Sequence, residues 1–303
     1  MDIPKPEFLI EGLLLDRAAN MLFAAPKAGK TLLGVQMAVA VASGQPLLGY
    51  YAVREAGPVL IVERDDPDGA SSIREILMRS PIPTADLPIH FTDRVPYEWG
   101  GELMDWIAAQ VRQHHLRMVL LDSFTVLRGS RGRGVDIVKA EAEDIALCAR
   151  MAKSERAAVE IVHHSSKGSS GLSWADQGAG TFAMAAGMGS LIHISRYPEL
   201  DMKAPERLVR ARGRHCADNG IVLRFREDSL DFEFVMSNVA AELYPEFVKI
   251  GRLFGTSVFT PKQLTHETGW SKMTAHRHLD RLLAADLIRR PNHGEYTLAG
   301  CIG

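Results

Sequence analysis

Ala24-Ala25-Pro26-Lys27-Ala28-Gly29-Lys30-Thr31 follows the apolar run Met21-Leu22-Phe23 and leads into the alanine-rich stretch Leu32 to Ser43. A phosphate-binding loop of the form G-x-x-x-x-G-K-[ST] joins a strand to the start of a helix, where backbone N–H groups wrap phosphate oxygens. Gly29, Lys30 and Thr31 match that form. Lys30 is expected to reach the β- and γ-phosphates of ATP, and the Thr31 hydroxyl to hold Mg²⁺. The cradle is expected to run from Ala24 through Ala25, Pro26, Lys27 and Ala28 to Leu32. Ala24 stands where the form has its first glycine; it is strained, by roughly 1 kcal/mol or more, only if that position requires a left-handed backbone. Ser43-Gly44 closes the helix that follows, as a C-terminal stop should.

Outward from this loop, apolar bursts and helical stretches alternate at βαβ spacing. VLIVERDDP (Val59 to Pro67), MVLLDS (Met118 to Ser123) and VEIVHHSSK (Val159 to Lys167) are continuous rather than alternating in hydrophobicity. Such runs are what a parallel sheet covered on both faces requires. LMDWIAAQVRQHH and AEAEDIALCARMAKSE read as the intervening helices. SLIHISR, RLVRAR and IVLRFRE read as further strands. The fold class is therefore α/β, with a P-loop ATPase core and a mainly parallel sheet over residues 1–238, and a smaller domain over 239–303.

With 35 basic and 37 acidic residues in 303, the net charge of −2 excludes a uniformly basic nucleic-acid coat, so DNA contact would come from a local patch. Cys148, Cys216 and Cys301 are far apart and lack C-x-x-C spacing, which argues against a disulfide framework or a zinc site. No basic leader precedes an apolar core, and no apolar run reaches about 18 residues. The expectation is a cytoplasmic protein with no membrane partner.

Ligands of open parallel sheets sit beyond the carboxyl ends of the strands. Asp122 ends an apolar run as a Walker B aspartate does, and would organise Mg²⁺. Glu63, Asp65 and Asp66 end another. If that strand neighbours the P-loop strand, one carboxylate could polarise the attacking water, with Glu63 and Asp65 on one face and Asp66 on the other; a solvated acidic turn is the alternative. Of His163 and His164, one could sense the γ-phosphate while the other points away; His163 is taken as the sensor.

Past residue 253 the pattern becomes helix (Pro261 to Thr268), turn at Gly269, helix (Ser271 to Asp286), then a short two-stranded wing around Asn292-His293-Gly294. This is winged-helix order. Leu264, Ala275, Leu279, Leu282 and Leu283 can bury one face. Lys272, His276, Arg277 and Arg281 lie on the polar side of the second helix, with Arg289 near the wing. The arrangement serves DNA contact or protein docking.

Taken in this order, the elements resemble the RecA-like ATPases of the plasmid RepA and DnaB hexameric helicase group, the AAA_25 family, over roughly Glu11 to Glu227. GPVLIVERDDP is similar to the motif in which that group's strand ends in a catalytic glutamate followed by Asp-Pro. Here Asp65 occupies the glutamate position, and Glu63 sits two residues earlier. VHHSSKG resembles the family's histidine motif, and GAGTFAMAAGMGSLIHISR the segment that forms a sensor strand and DNA-facing loops. In RARGR, Arg212 and Arg214 fit the Arg-x-Arg pair that in the family reaches the γ-phosphate of a neighbouring subunit. The resemblance implies a ring-forming homo-oligomer, a hexamer in the family's manner, acting on DNA as a helicase or translocase of a plasmid, phage or mobile element with a replication partner. An ATP-gated DNA-binding regulator and a recombination mediator are the alternatives.

Overall fold

The computed structural model describes residues 7–129, 134–164, 182–197, 204–213, 216–285 and 287–299. The chain divides into two compact units, Met1–Val235 and Met236–Gly303.

In the first unit, a short hairpin of β1 (Phe8–Ile10) and β2 (Leu14–Leu15) leads into β3 (Ala19–Ala24), the strand before the loop. Then come α1 (Lys30–Ser43), β4 (Val59–Glu63), α2 (Gly69–Arg79), β5 (Ile89–Thr92), α3 (Gly101–His114) and β6 (Met118–Asp122). They are followed by α4 (Phe124–Arg128), α5 (Ile137–Glu155), β7 (Ala158–His164), α6 (Phe182–Gly187), β8 (Ser190–Arg196), β9 (Glu206–Gly213), β10 (Cys216–Arg226) and β11 (Asp231–Ser237). One nine-stranded sheet results, in the order β11-β10-β9-β8-β3-β7-β6-β4-β5. The run from β8 to β5 is parallel, and β9 and β10 extend it antiparallel.

The continuous apolar strands are explained by cover on both faces. In β7, Ala158 and Val162 join a cluster with α1 residues such as Leu33, Met37 and Val41, while Val159 and Ile161 join the α3 and α5 side with Ile107 and Ile145. Each large apolar side chain buried this way contributes about 1.5–3 kcal/mol. Helix α1 lies close against the sheet, because a Cβ at Gly34 would come within 3.1 Å of Leu120. It ends at Gly44, whose φ of 73° is the left-handed cap expected of Ser43-Gly44.

The second unit holds α7 (Asn238–Phe254), α8 (Pro261–Thr268), α9 (Lys272–Ala284) and a two-stranded antiparallel ribbon of β12 (Ile288–Arg289) and β13 (Thr297–Leu298). Thr260 and Gln263 form a reciprocal capping box at the start of α8, and the Ser271 side chain caps α9. Leu264, Ala275, Leu279 and Leu282 are buried, whereas Leu283 is only partly so. No described helix is long and apolar enough to cross a membrane.

Candidate active site

The parallel strands β3, β7, β6 and β4 lie side by side, so their carboxyl ends open at one edge of the sheet. A cleft of about 340 Å³ forms there. Its walls include Lys30 and Thr31 from α1, Glu63 and Asp65 at the end of β4, Asp122 at the end of β6 and His164 at the end of β7.

Ala24 ends β3 within the strand, and its backbone is not left-handed. Alanine is therefore unstrained at the position of the missing glycine. The left-handed positions of the loop are Lys27 (φ 61°) and Gly29 (φ 103°). Gly29 is required for space as well as conformation, since a Cβ there would lie 2.5 Å from the Phe232 ring. Ala25, Pro26 and Lys27 are exposed, and Ala28 and Leu32 buried. Lys30 is buried at the helix start, and its Nζ donates to the carbonyls of Ala24 (3.3 Å) and Ala25 (3.1 Å). Burial pushes its pKa down, against the nearby carboxylates of Asp122 and Asp65.

The Thr31 hydroxyl donates to Asp122 Oδ2 across 2.6 Å. Burial raises the Asp122 pKa, and the Thr31 hydrogen bond opposes that rise. The pair presents two hard oxygen donors; a small divalent cation bound to them would complete its shell from water and phosphate oxygens.

Two expectations for the acidic segment are corrected. β4 does not neighbour β3, because β7 and β6 lie between them; Glu63 reaches the cleft through its register with Asp122 on β6. Nor does strand alternation continue through Asp65 and Asp66. β4 stops at Glu63, whose Oε1 accepts from the N–H groups of Asp65 (2.6 Å) and Asp66 (3.0 Å) and turns the chain toward α2. Glu63 is buried, and burial, followed by the charge of Asp122, lifts its pKa to about 7 despite those two hydrogen bonds. Asp65 is more open. Its Oδ1 accepts from the Ser123 hydroxyl at 3.1 Å, and its Oδ2 lies 3.0 Å from His164 Nε2.

The histidine assignment is also corrected. His164 lines the cleft, while His163 occupies the other face of β7, edge-on to Phe124 with ring centroids 5.8 Å apart. Burial there pushes the His163 pKa down to about 4, and its Nδ1 has no hydrogen-bond partner among the described residues. Alternation across the strand produces the exchange: adjacent residues cannot share a face.

Three contributors carry little or no signal in the sequence. Ser123 carries no motif signal beyond following Asp122. Arg207 and Phe232 come from β9 and β11, and only the sheet order brings them to the loop: Arg207 Nε donates to the Ala28 carbonyl at 3.2 Å, and the Phe232 ring covers Gly29. Arg212 pairs with Leu191 near the far end of β9, away from the cleft. Arg214 lies outside the described residues. In the second unit Lys272, Arg277, Arg281 and Arg289 are exposed and His276 is half-buried.

A loop lysine at a helix start, a hydroxyl–carboxylate pair and a buried carboxylate at adjoining strand ends are the kinds of group that nucleotide hydrolysis uses. Residues 2–170, more than half of the chain, match the AAA_25 family, an AAA domain. The chain belongs to the AAA_25 family. As an AAA_25 protein it is an ATP-binding, ATP-hydrolysing P-loop enzyme. Solved structures share the fold at low identity. The chain is similar to a solved ATPase domain (11% identity, TM-score 0.57, covering 72% of this chain and 85% of that one). It also resembles a DnaB-like replicative helicase solved together with its interactions with primase (11%, TM-score 0.55, 76% and 62%). A third similar structure is the RadB recombinase (12%, TM-score 0.52, 74% and 93%). No curated protein matches the chain. These likenesses establish a RecA-like α/β core for this AAA_25 protein.

Proposed function

We propose that this AAA_25 protein is an oligomeric, ring-forming ATPase that acts on DNA in the manner of the RepA and DnaB helicase group, with Mg·ATP sites shared between subunits. The position of Arg212 carries this reading. Arg207, on the same strand, reaches its own phosphate loop. Arg212 is five residues further on, roughly 17 Å along an extended strand, and on the opposite face by alternation. A guanidinium so far from its own cleft suits a neighbour's γ-phosphate, and Arg214 continues the pattern in sequence. In this reading Lys30 binds the β- and γ-phosphates, Thr31 and Asp122 hold Mg²⁺, and His164 reports the γ-phosphate to Asp65. Glu63, poised near neutrality in the cleft, is the general base.

Residues 239–303 act as a winged-helix domain that engages DNA through Lys272, His276, Arg277 and Arg281 of α9 and Arg289 of the wing. The origin or replication machinery of a plasmid, phage or other mobile element is the proposed setting, and the cytoplasm the proposed location. The test is a mixing experiment. Arg212→Ala alone should bind ATP and lose turnover, and adding Lys30→Ala subunits, which supply arginine, should restore hydrolysis at mixed interfaces. A turnover unaffected by Arg212→Ala would remove the shared site.

One observation favours a second reading, an ATP-gated DNA-binding regulator. Asp65, at the position of the family's catalytic glutamate, is engaged by both Ser123 and His164. Slow turnover indifferent to DNA would support that switch over a motor.

A further inference from the structure

We infer that Arg207 is a positioning residue for ATP binding: it fixes the orientation of the Ala28–Gly29 peptide, and with it the Gly29 N–H that faces phosphate. β9 is two strands from β3, separated only by β8, and its residue 207 lies at the end that adjoins the phosphate loop, opposite Arg196. The side chain is buried. Its Nε donates to the Ala28 carbonyl at 3.2 Å, and its Nη1 donates to the carbonyls of Ala204 and Glu206, each at 2.8 Å.

A planar guanidinium offers donors in a fixed fork, so three carbonyl acceptors hold it rigidly. In a trans peptide the C=O and the following N–H point in opposite directions. Pinning the Ala28 oxygen toward β9 therefore turns the Gly29 N–H away from β9. The same peptide flipped would present a carbonyl oxygen to the phosphates and repel them. Gly29 is the residue where a flip is easiest, since glycine populates both signs of φ. Its φ of 103° is thus a choice that needs a restraint from outside the loop.

A second contact from the same side adds to that restraint. Phe232 covers Gly29, and its backbone is clamped to α1 by reciprocal bonds with Gln36, the Phe232 N–H donating to Oε1 and the Gln36 amide to the Phe232 carbonyl, both at 3.0 Å. Arg207 thereby acts through the loop and need not touch the nucleotide.

The experiment measures Mg·ATP affinity by titration calorimetry on the full-length chain. Arg207→Ala should raise Kd at least tenfold. Ile221→Ala, which removes a buried side chain from the adjoining β10, serves as the stability control; it should lower Tm while leaving Kd within twofold. Arg207→Lys, which keeps charge and stem but lacks the fork, should raise Kd about fivefold and covers the case in which the alanine variant does not fold. Millimolar guanidinium ion should recover part of the missing affinity in Arg207→Ala. A Kd within twofold of wild type in either folded variant, or an equal rise in Ile221→Ala, would overturn the assignment.

Discussion

The Thr31 hydroxyl and the Asp122 carboxylate, 91 residues apart in sequence, meet at 2.6 Å across the mouth of the cleft. One group comes from the first turn of α1 and the other from the end of β6, so the contact joins the phosphate loop to the strand that carries the acid. Replacing Asp122 by Asn keeps the shape and a hydrogen-bonding oxygen but removes the charge that attracts a divalent cation. Asp122→Asn should lower ATP turnover by about 10²-fold or more while magnesium-free nucleotide binding stays close to wild type. A magnesium titration of both activities checks this.

Glu63 leads to a pH prediction. Its folded pKa of about 7 lies above that of an ordinary carboxyl, and in its proposed role as general base it works when deprotonated. Turnover should rise as pH increases through about 7 and then level off. Glu63→Gln should abolish the rising limb along with most of the activity, whereas Asp65→Asn should lower the rate and leave the limb in place. A pH–rate profile of the three proteins at saturating ATP separates these outcomes.

Glu160 lies within β7, fully buried, and neither carboxyl oxygen is hydrogen-bonded among the described residues. Burial raises its pKa well above the ordinary value. The folded protein therefore keeps a proton that the unfolded chain releases above about pH 4.5. Its contribution is fully present below that pH and declines, by about 1.4 kcal/mol per pH unit, as pH rises toward the folded pKa. Glu160→Gln cannot ionise, so its advantage in stability over wild type should grow between about pH 5 and pH 7. Urea unfolding at both pH values measures the difference.

The exposed cations of α9 make a salt-dependent prediction for the proposed DNA contact. Lys272→Ala and Arg277→Ala should each weaken binding to duplex DNA, and removing one phosphate-binding cation should reduce the slope of log K against log salt by about 1. Unchanged affinity in both variants would point to protein docking by this unit.

How much of this is legible in the sequence follows from what each signal encodes. The apolar bursts at β3, β4, β6 and β7 mark buried parallel strands, and Gly29-Lys30-Thr31 and Asp122 mark two walls of the cleft. Local chemistry is enough for these. The order of strands is not legible, because hydrophobic runs carry no record of their neighbours; β4 could as well stand beside β3, yet two strands intervene. The choice between His163 and His164 depends on where β7 sits relative to the cleft, which the pair alone does not reveal. Arg207 and Phe232 are invisible for the same reason: they are about 180 and 200 residues beyond the loop they restrain, and only the antiparallel extension of the sheet returns them to it.

Completion of the sites between subunits and stimulation by DNA, as proposed, are measured together by steady-state ATP hydrolysis across a protein concentration series, with and without single-stranded DNA. On this proposal the rate per subunit rises as the protein assembles and rises further with DNA. A rate per subunit that is independent of concentration and indifferent to DNA would contradict it.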